Sequence, residues 1–212
     1  MSDCCDPGGY RRFFNTKEAE RRAKRHRRKG LDATAEPMLE AVSDRVPGAV
    51  VLEGGAGTGE AHVAMLRRGA AQAIAVDISD AYERVAESIA AEEAVADRIE
   101  RRTGDLATMP DLPEADIVFL NRVVCCYPDM PGLVDAAGRL STGLVAMSYP
   151  RDRWFVRLGF RMLNAFLRLR RVPFRVYVHD PAAIAGRMRP AGFDVRSTGR
   201  TIGWHWGVWQ RA

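Results

Sequence analysis

The sequence predicts an α/β fold in which a mostly parallel sheet is covered by helices on both faces. Three observations carry that prediction. From residue 49 onward, short apolar runs of strand length alternate with longer helical segments. The first run, Val50-Val51-Leu52-Glu53, enters a glycine-rich turn, Gly54-Gly55-Ala56-Gly57-Thr58-Gly59, that opens a helix. Near the C-terminus the rhythm breaks, because the strand-like segments 193–197 and 204–210 are joined too closely for a crossover and must pair antiparallel.

Taken in order, the first 35 residues read as a basic helical cap ahead of a main domain spanning residues 36–212. The cap opens with Cys4-Cys5, presents the apolar patch Tyr10, Phe13 and Phe14, and continues as a charged helix with Thr16 as its cap and Gly30 as its stop. A second helix is predicted over residues 34–45, with Pro37 in its first turn and Pro47-Gly48 beyond its end. Strands are expected at 49–53, 73–76 (ending in Asp77), 99–103, 116–120 and 143–148, and helices at 59–68, 83–96, 131–140 and 181–190.

A chain of 212 residues with 47% hydrophobic content can bury one full core. It holds no run of 18 apolar residues, and its N-terminus is polar and then basic, without an apolar signal region, so a cytoplasmic location is expected. The net charge of +5 is uneven: residues 11–30 carry ten Lys/Arg against two Glu, and residues 151–175 carry eight Arg against one Asp. Two basic islands therefore sit on an acidic body. The cysteines form adjacent pairs, Cys4-Cys5 and Cys125-Cys126, with no Cys-x-x-Cys spacing, and the four histidines are scattered. Neither a disulfide scaffold nor a metal site is expected.

The motif richest in chemistry is Glu-x-Gly-x-Gly-x-Gly over residues 53–59. Dinucleotide dehydrogenases use Gly-x-Gly-x-x-Gly, which counted from Gly55 requires a glycine at position 60, where this chain has Glu60. Glu53 at the strand end would repel a pyrophosphate and attract a cationic amino-acid group, as carried by S-adenosylmethionine. Asp77, at the end of the next strand, can accept hydrogen bonds from ribose hydroxyls, and Gly104-Asp105-Leu106 after the third strand suits a nucleobase edge. Each aspartate can also cap the following helix.

Taken together, these residues resemble the class I S-adenosylmethionine-dependent methyltransferases, over residues from about 30 to the C-terminus. The resemblance implies a Rossmann-like seven-stranded methyltransferase sheet, mostly parallel with an antiparallel C-terminal strand, and S-adenosylmethionine as cofactor. The candidate cofactor residues are Glu53, Gly55, Gly57, Gly59, Asp77, Ile78, Asp105, Leu106 and Asn121.

Leu120-Asn121-Arg122-Val123-Val124-Cys125-Cys126-Tyr127-Pro128-Asp129 follows the fourth strand and lacks the Asn/Asp-Pro-Pro-Tyr/Phe sequence of enzymes that methylate nucleic-acid amino groups, so a nucleic-acid partner is disfavoured. Tyr127 is either a weak catalytic base or a packing residue beside Pro128. Cys125 and Cys126 either face the acceptor or fill the core. On a helix over 151–175, Arg153, Arg157, Arg161, Arg168 and Arg171 share an arc about 80° wide, opposite Phe155, Leu158, Met162, Leu163, Phe166 and Leu169. Three readings stand: a solvated face on a core-packed helix, recognition of a carboxylate-bearing apolar acceptor, or peripheral contact with an anionic membrane. Candidate acceptor-side residues are Tyr10, Arg122, Arg153 and Arg157.

From Met147 onward the chain also resembles the magnesium-protoporphyrin O-methyltransferase branch, in the Arg-containing helix after the fifth strand, in Arg175-Val176-Tyr177-Val178-His179 and in the Ala191-Gly192-Phe193 turn. That likeness implies that residues 10–31 fold over the cofactor as a lid, and it suggests a porphyrin acceptor. The expected function is methyl transfer to a small molecule. The alternatives are a nucleic-acid methyltransferase that grips phosphates with the basic islands, and a membrane-associated cofactor-binding protein without catalysis.

Overall fold

Strand β1 (Val50–Gly54) runs through the middle of a seven-stranded sheet because its side chains are apolar on both faces. Val51 packs into one apolar cluster and Leu52 into the other, and the same alternation recurs in Ile117 and Phe119 against Val118 and Leu120. The computed structural model describes Tyr10 and residues 12–212, and Cys4 and Cys5 lie outside the described residues.

In chain order the elements are α1 (Thr16–Lys29), α2 (Ala35–Ala41), β1, α3 (Glu60–Arg67), β2 (Gln72–Asp77), α4 (Glu83–Glu92), β3 (Ile99–Thr103), β4 (Ala115–Leu120), α5 (Met130–Leu140), β5 (Ser141–Pro150), α6 (Trp154–Leu169), α7 (Pro181–Met188), β6 (Phe193–Arg200) and β7 (Trp204–Arg211). The sheet order is β3-β2-β1-β4-β5-β7-β6. The first five strands pair parallel, and β7 pairs antiparallel with both β5 and β6. This is the Rossmann-like methyltransferase sheet that the sequence predicts. Strand order reverses between β1 and β4, and the crevice beyond their carboxyl ends is the natural ligand site of such a sheet.

Several boundaries move for local reasons. Asn15, not Thr16, caps α1: its side chain accepts from Glu18 N at 3.2 Å. The helix predicted over residues 34–45 ends at Ala41 and tightens into a 3₁₀ turn at Ser43–Arg45. The helix predicted to reach residue 96 stops at Glu92, because Ala94 takes a positive φ of 53°. Helix α1 packs on the sheet's helical layer: its Ala19 and Ala23 belong to the central core and Arg27 pairs with Glu92 on α4 at 2.6 Å.

The largest correction concerns α6. Of the apolar arc read from the sequence, only Leu163 packs inward, joining Val156, Phe160 and Leu167 toward the body. Phe155, Leu158, Met162, Phe166 and Leu169 are exposed, as is Trp154. No helix among the described residues is long and apolar enough to cross a membrane.

Candidate active site

The turn after β1 is held open by its glycines. At Gly55, φ is +62° and a Cβ would stand 2.5 Å from Val123 Cγ2; at Gly59, φ is +86° and a Cβ would meet the His62 ring at 2.8 Å. Gly59 has no side chain with which to cap α3, and Glu53 takes over that role. Glu53 Oε2 accepts from His62 N at 3.0 Å and lies 2.7 Å from His62 Nδ1, both groups being buried. Glu53 therefore anchors the turn to the helix before it can meet any ligand. His62 carried no role in the sequence reading, because its partner lies nine residues back on a different element.

Asp77 closes the far side of the turn, with Oδ2 accepting from Gly57 N at 2.7 Å and Oδ1 from Ser79 N at 2.8 Å. A carboxylate has about four acceptor sites, so each oxygen keeps capacity for a ligand hydroxyl. Burial pushes the Asp77 carboxyl above its ordinary value of 3.8, against the opposing pull of those two N–H donors and of Arg101. Asp105, beyond β3, accepts from Ala107 N at 2.9 Å and from the Tyr127 hydroxyl at 2.7 Å.

Beyond β4, Asn121 sits in a polar network that long-range packing assembles. Its Nδ2 donates to Asp32 Oδ2 at 2.9 Å, and its Oδ1 accepts from Ser148 Oγ at 2.8 Å and lies 2.8 Å from Thr34 Oγ1. Burial works to raise the Asp32 carboxyl, but hydrogen bonds from Thr34 and Ala35 and the Arg122 charge outweigh it and hold it below the usual range. The Arg122 guanidinium lies 3.4 Å from Asp32 and 4.8 Å from the centre of the Trp204 ring. Burial lowers the Arg122 pKa.

Together these strand ends frame a crevice that opens to solvent. Gly55, Gly57, Asp77, Ile78, Asp105, Leu106, Asn121, Arg122, Tyr127 and Tyr10 all line it. Glu53 lines an adjoining, wider hollow under α1, and Gly59, at the start of α3, lines neither space. Arg153 and Arg157 line neither; Arg157 is paired with Asp152 on the surface. Cys126 reaches the crevice, whereas Cys125 is buried behind it, the two sulfurs being 3.4 Å apart. Among the described residues no group of three potential ligands could hold a metal.

Among the residues the structure adds to the site are Phe14, Arg22 and Tyr82. Phe14 and Arg22 arrive with the N-terminal segment, and the Arg22 guanidinium lies 6.0 Å from the Tyr82 ring centre. Tyr82 Oη is buried with no hydrogen-bond partner among the described residues, a rare condition for a buried hydroxyl. Nothing in the sequence around Tyr82 marks it; only its place in the 3₁₀ turn Asp80–Tyr82 after β2 brings it to the crevice.

Comparison with solved structures gives the same architecture. Magnesium protoporphyrin IX methyltransferase from Synechocystis PCC 6803 with bound S-adenosylhomocysteine superposes with a TM-score of 0.68 at 23% identity, over 84% of this chain and 81% of that one. The same enzyme with bound S-adenosylmethionine gives 0.66 at 19% identity, over 96% and 90%. An O-methyltransferase family protein from Burkholderia thailandensis gives 0.65 at 20% identity, over 84% of this chain and 56% of that one. No curated protein matches the sequence. The family model described as a methyltransferase domain matches residues 20–198, a span that holds the glycine turn, Asp77, Asp105 and the network around Asn121, and the chain therefore belongs to the methyltransferase-domain family.

Proposed function

We propose that this protein transfers a methyl group from S-adenosylmethionine to a largely apolar small molecule whose carboxylate faces Arg122. The observation that carries the cofactor assignment is the convergence of the glycine turn, Asp77 and Asp105 from three successive strand ends on one crevice that Tyr82, whose buried hydroxyl has no partner among the described residues, also lines. A polar nucleoside fits this lining: ribose hydroxyls donate to Asp77, a base edge lies toward Asp105, and a ligand heteroatom satisfies Tyr82.

When bound, the cofactor supplies a methyl group on a sulfonium, open to in-line displacement. The chain's own residues position the reactants. Tyr127 donates a hydrogen bond to Asp105 and so fixes that carboxylate, which makes it a positioning residue in preference to a base. Arg122, held between Asp32 and Trp204, offers a cation to an anionic acceptor. A carboxylate arrives already ionised and needs no general base. Tyr10, whose hydroxyl donates to Cys126 O at 2.7 Å, joins Phe14 and Val123 in an apolar wall that keeps water out.

On the basic helix α1, Arg21, Arg22 and Arg27 are engaged by Glu18 and Glu92, which reduces the charge it offers to a phosphate backbone. The test is incubation with cofactor carrying a deuterated methyl group and a panel of apolar carboxylic acids, a tetrapyrrole among them since a structural neighbour acts on one. A base-labile methyl ester of matching mass is expected. Label appearing only in nucleic acid, or no transfer at all, would overturn the proposal.

A further inference from the structure

We infer that α6 docks the protein on an anionic lipid surface. Six large apolar side chains of this one helix face solvent, from Phe155, 40% exposed, to Leu169, 80% exposed, with Trp154, Leu158, Met162 and Phe166 between. At about 100° per residue they span an arc of about 120°. A separate arc about 60° wide, carrying Val156, Phe160, Leu163 and Leu167, already attaches the helix to the body. The exposed arc is therefore surplus to folding, and its total is well beyond the scattered apolar residues of an ordinary surface.

Charge says what covers it. Residues 153–175 hold seven Arg and no Asp or Glu, and Arg157, Arg161 and Arg168 form a stripe along one flank of the exposed arc. Among the described residues, only Arg157 of those three has an ion-pair partner, Asp152. An apolar face with Trp and Phe, bordered by arginines and about 24 Å long over its 16 residues, has the form of a helix lying in a lipid interface. Arginine stems can lie along the apolar surface while their guanidinium groups reach phosphates. A second copy fits this face less well, since an antiparallel two-fold contact would set the arginine stripes against each other. The other basic helix, α1, offers no such face: its buried residues are Ala19 and Ala23, and it exposes no large apolar side chain.

Docking through α6 does not depend on the chemistry of the crevice, yet it bears on it. The inward arc of α6 packs on a cluster that includes Tyr10, Phe14, Ile78 and Cys126, all of which line the crevice. A protein seated on this helix holds its crevice about one helix diameter, roughly 10 Å, from the headgroups, where an apolar acceptor dissolved in the bilayer can enter.

The experiment is co-sedimentation of the full chain with vesicles of phosphatidylcholine alone or mixed with phosphatidylglycerol, at low and raised salt, alongside sedimentation of the protein by itself. Binding to the phosphatidylglycerol vesicles at least about tenfold tighter than to phosphatidylcholine, and weakened by salt, is expected. Leu158→Glu with Met162→Glu lowers that binding by at least about tenfold, and Arg161→Gln with Arg168→Gln narrows the anionic preference, both variants melting like the wild type because the four positions lie off the inward-packing arc. A wild-type chain that ignores both vesicles leaves the face to a second copy or a soluble partner and overturns the proposal. So does a self-association lost in the double glutamate variant without any vesicle binding, or vesicle binding that both variants retain in full.

Discussion

Replacing Tyr82 with phenylalanine should push stability and ligand affinity in opposite directions. In the free protein the Tyr82 hydroxyl is buried and has no partner among the described residues. An unmet buried hydroxyl costs about 1–3 kcal/mol, so removing it while keeping the ring stabilises the free chain by about 1 kcal/mol or more. For a domain of this size that raises the melting temperature by about 2–4 °C. The ring keeps its packing in the central core and its contact with Arg22, so little is lost elsewhere. When ligand binds, the wild-type hydroxyl gains a hydrogen bond that phenylalanine cannot make, and the variant binds S-adenosylhomocysteine about tenfold more weakly, equivalent to about 1.4 kcal/mol. Scanning calorimetry of the free and ligand-saturated protein measures both effects. A variant that melts lower than wild type, or one with unchanged affinity, would show that the Tyr82 hydroxyl is not waiting for a ligand.

Gly55→Ala should destabilise the fold by about 3 kcal/mol, from its positive φ and the clash with Val123, and adding Val123→Ala should recover the clash part; urea titration of both variants beside the wild type checks this. Tyr127→Phe should weaken cofactor binding by up to about tenfold while leaving kcat within about tenfold of wild type, because it frees Asp105; a loss in kcat of a hundredfold or more at unchanged affinity would instead make Tyr127 a base. His62→Ala removes the ring partner of buried Glu53 and should lower stability by about 3 kcal/mol in chemical denaturation. Affinity for S-adenosylhomocysteine should fall on acidification, starting above the ordinary aspartate value of 3.8, as Asp77 takes up a proton and ceases to accept from both ribose hydroxyls. For stability the sign is opposite: a raised folded-state pKa means that Asp77 stabilises the fold below its unfolded pKa and loses that contribution as pH rises through the folded value. Affinity that is flat across the acidic range would exclude Asp77 from the contact.

Much of the crevice is legible in the sequence because its parts are local. Gly55 and Gly57 and the acids Asp77 and Asp105 are each fixed within a few residues of a strand, and the parallel sheet then brings the strand ends together without further information. What the sequence hides is non-local. Asp32, Thr34 and Ser148 meet Asn121 across separations of 27 to 89 residues, and Arg22 reaches the crevice only because α1 packs over it. Helix α6 shows the limit of periodicity. Its apolar residues occupy two arcs, and a wheel alone does not say which one faces the body; the smaller arc packs because Tyr10, Phe13 and Phe174 offer it an aromatic bed.

Isothermal titration of S-adenosylhomocysteine into the wild type and Asp77→Ala measures whether this crevice holds the methyl donor by Asp77. Saturable one-site binding by the wild type and a loss of about a hundredfold in the variant, with its circular dichroism spectrum retained, are expected. Absence of binding by the wild type, or undiminished binding by Asp77→Ala, would contradict that assignment.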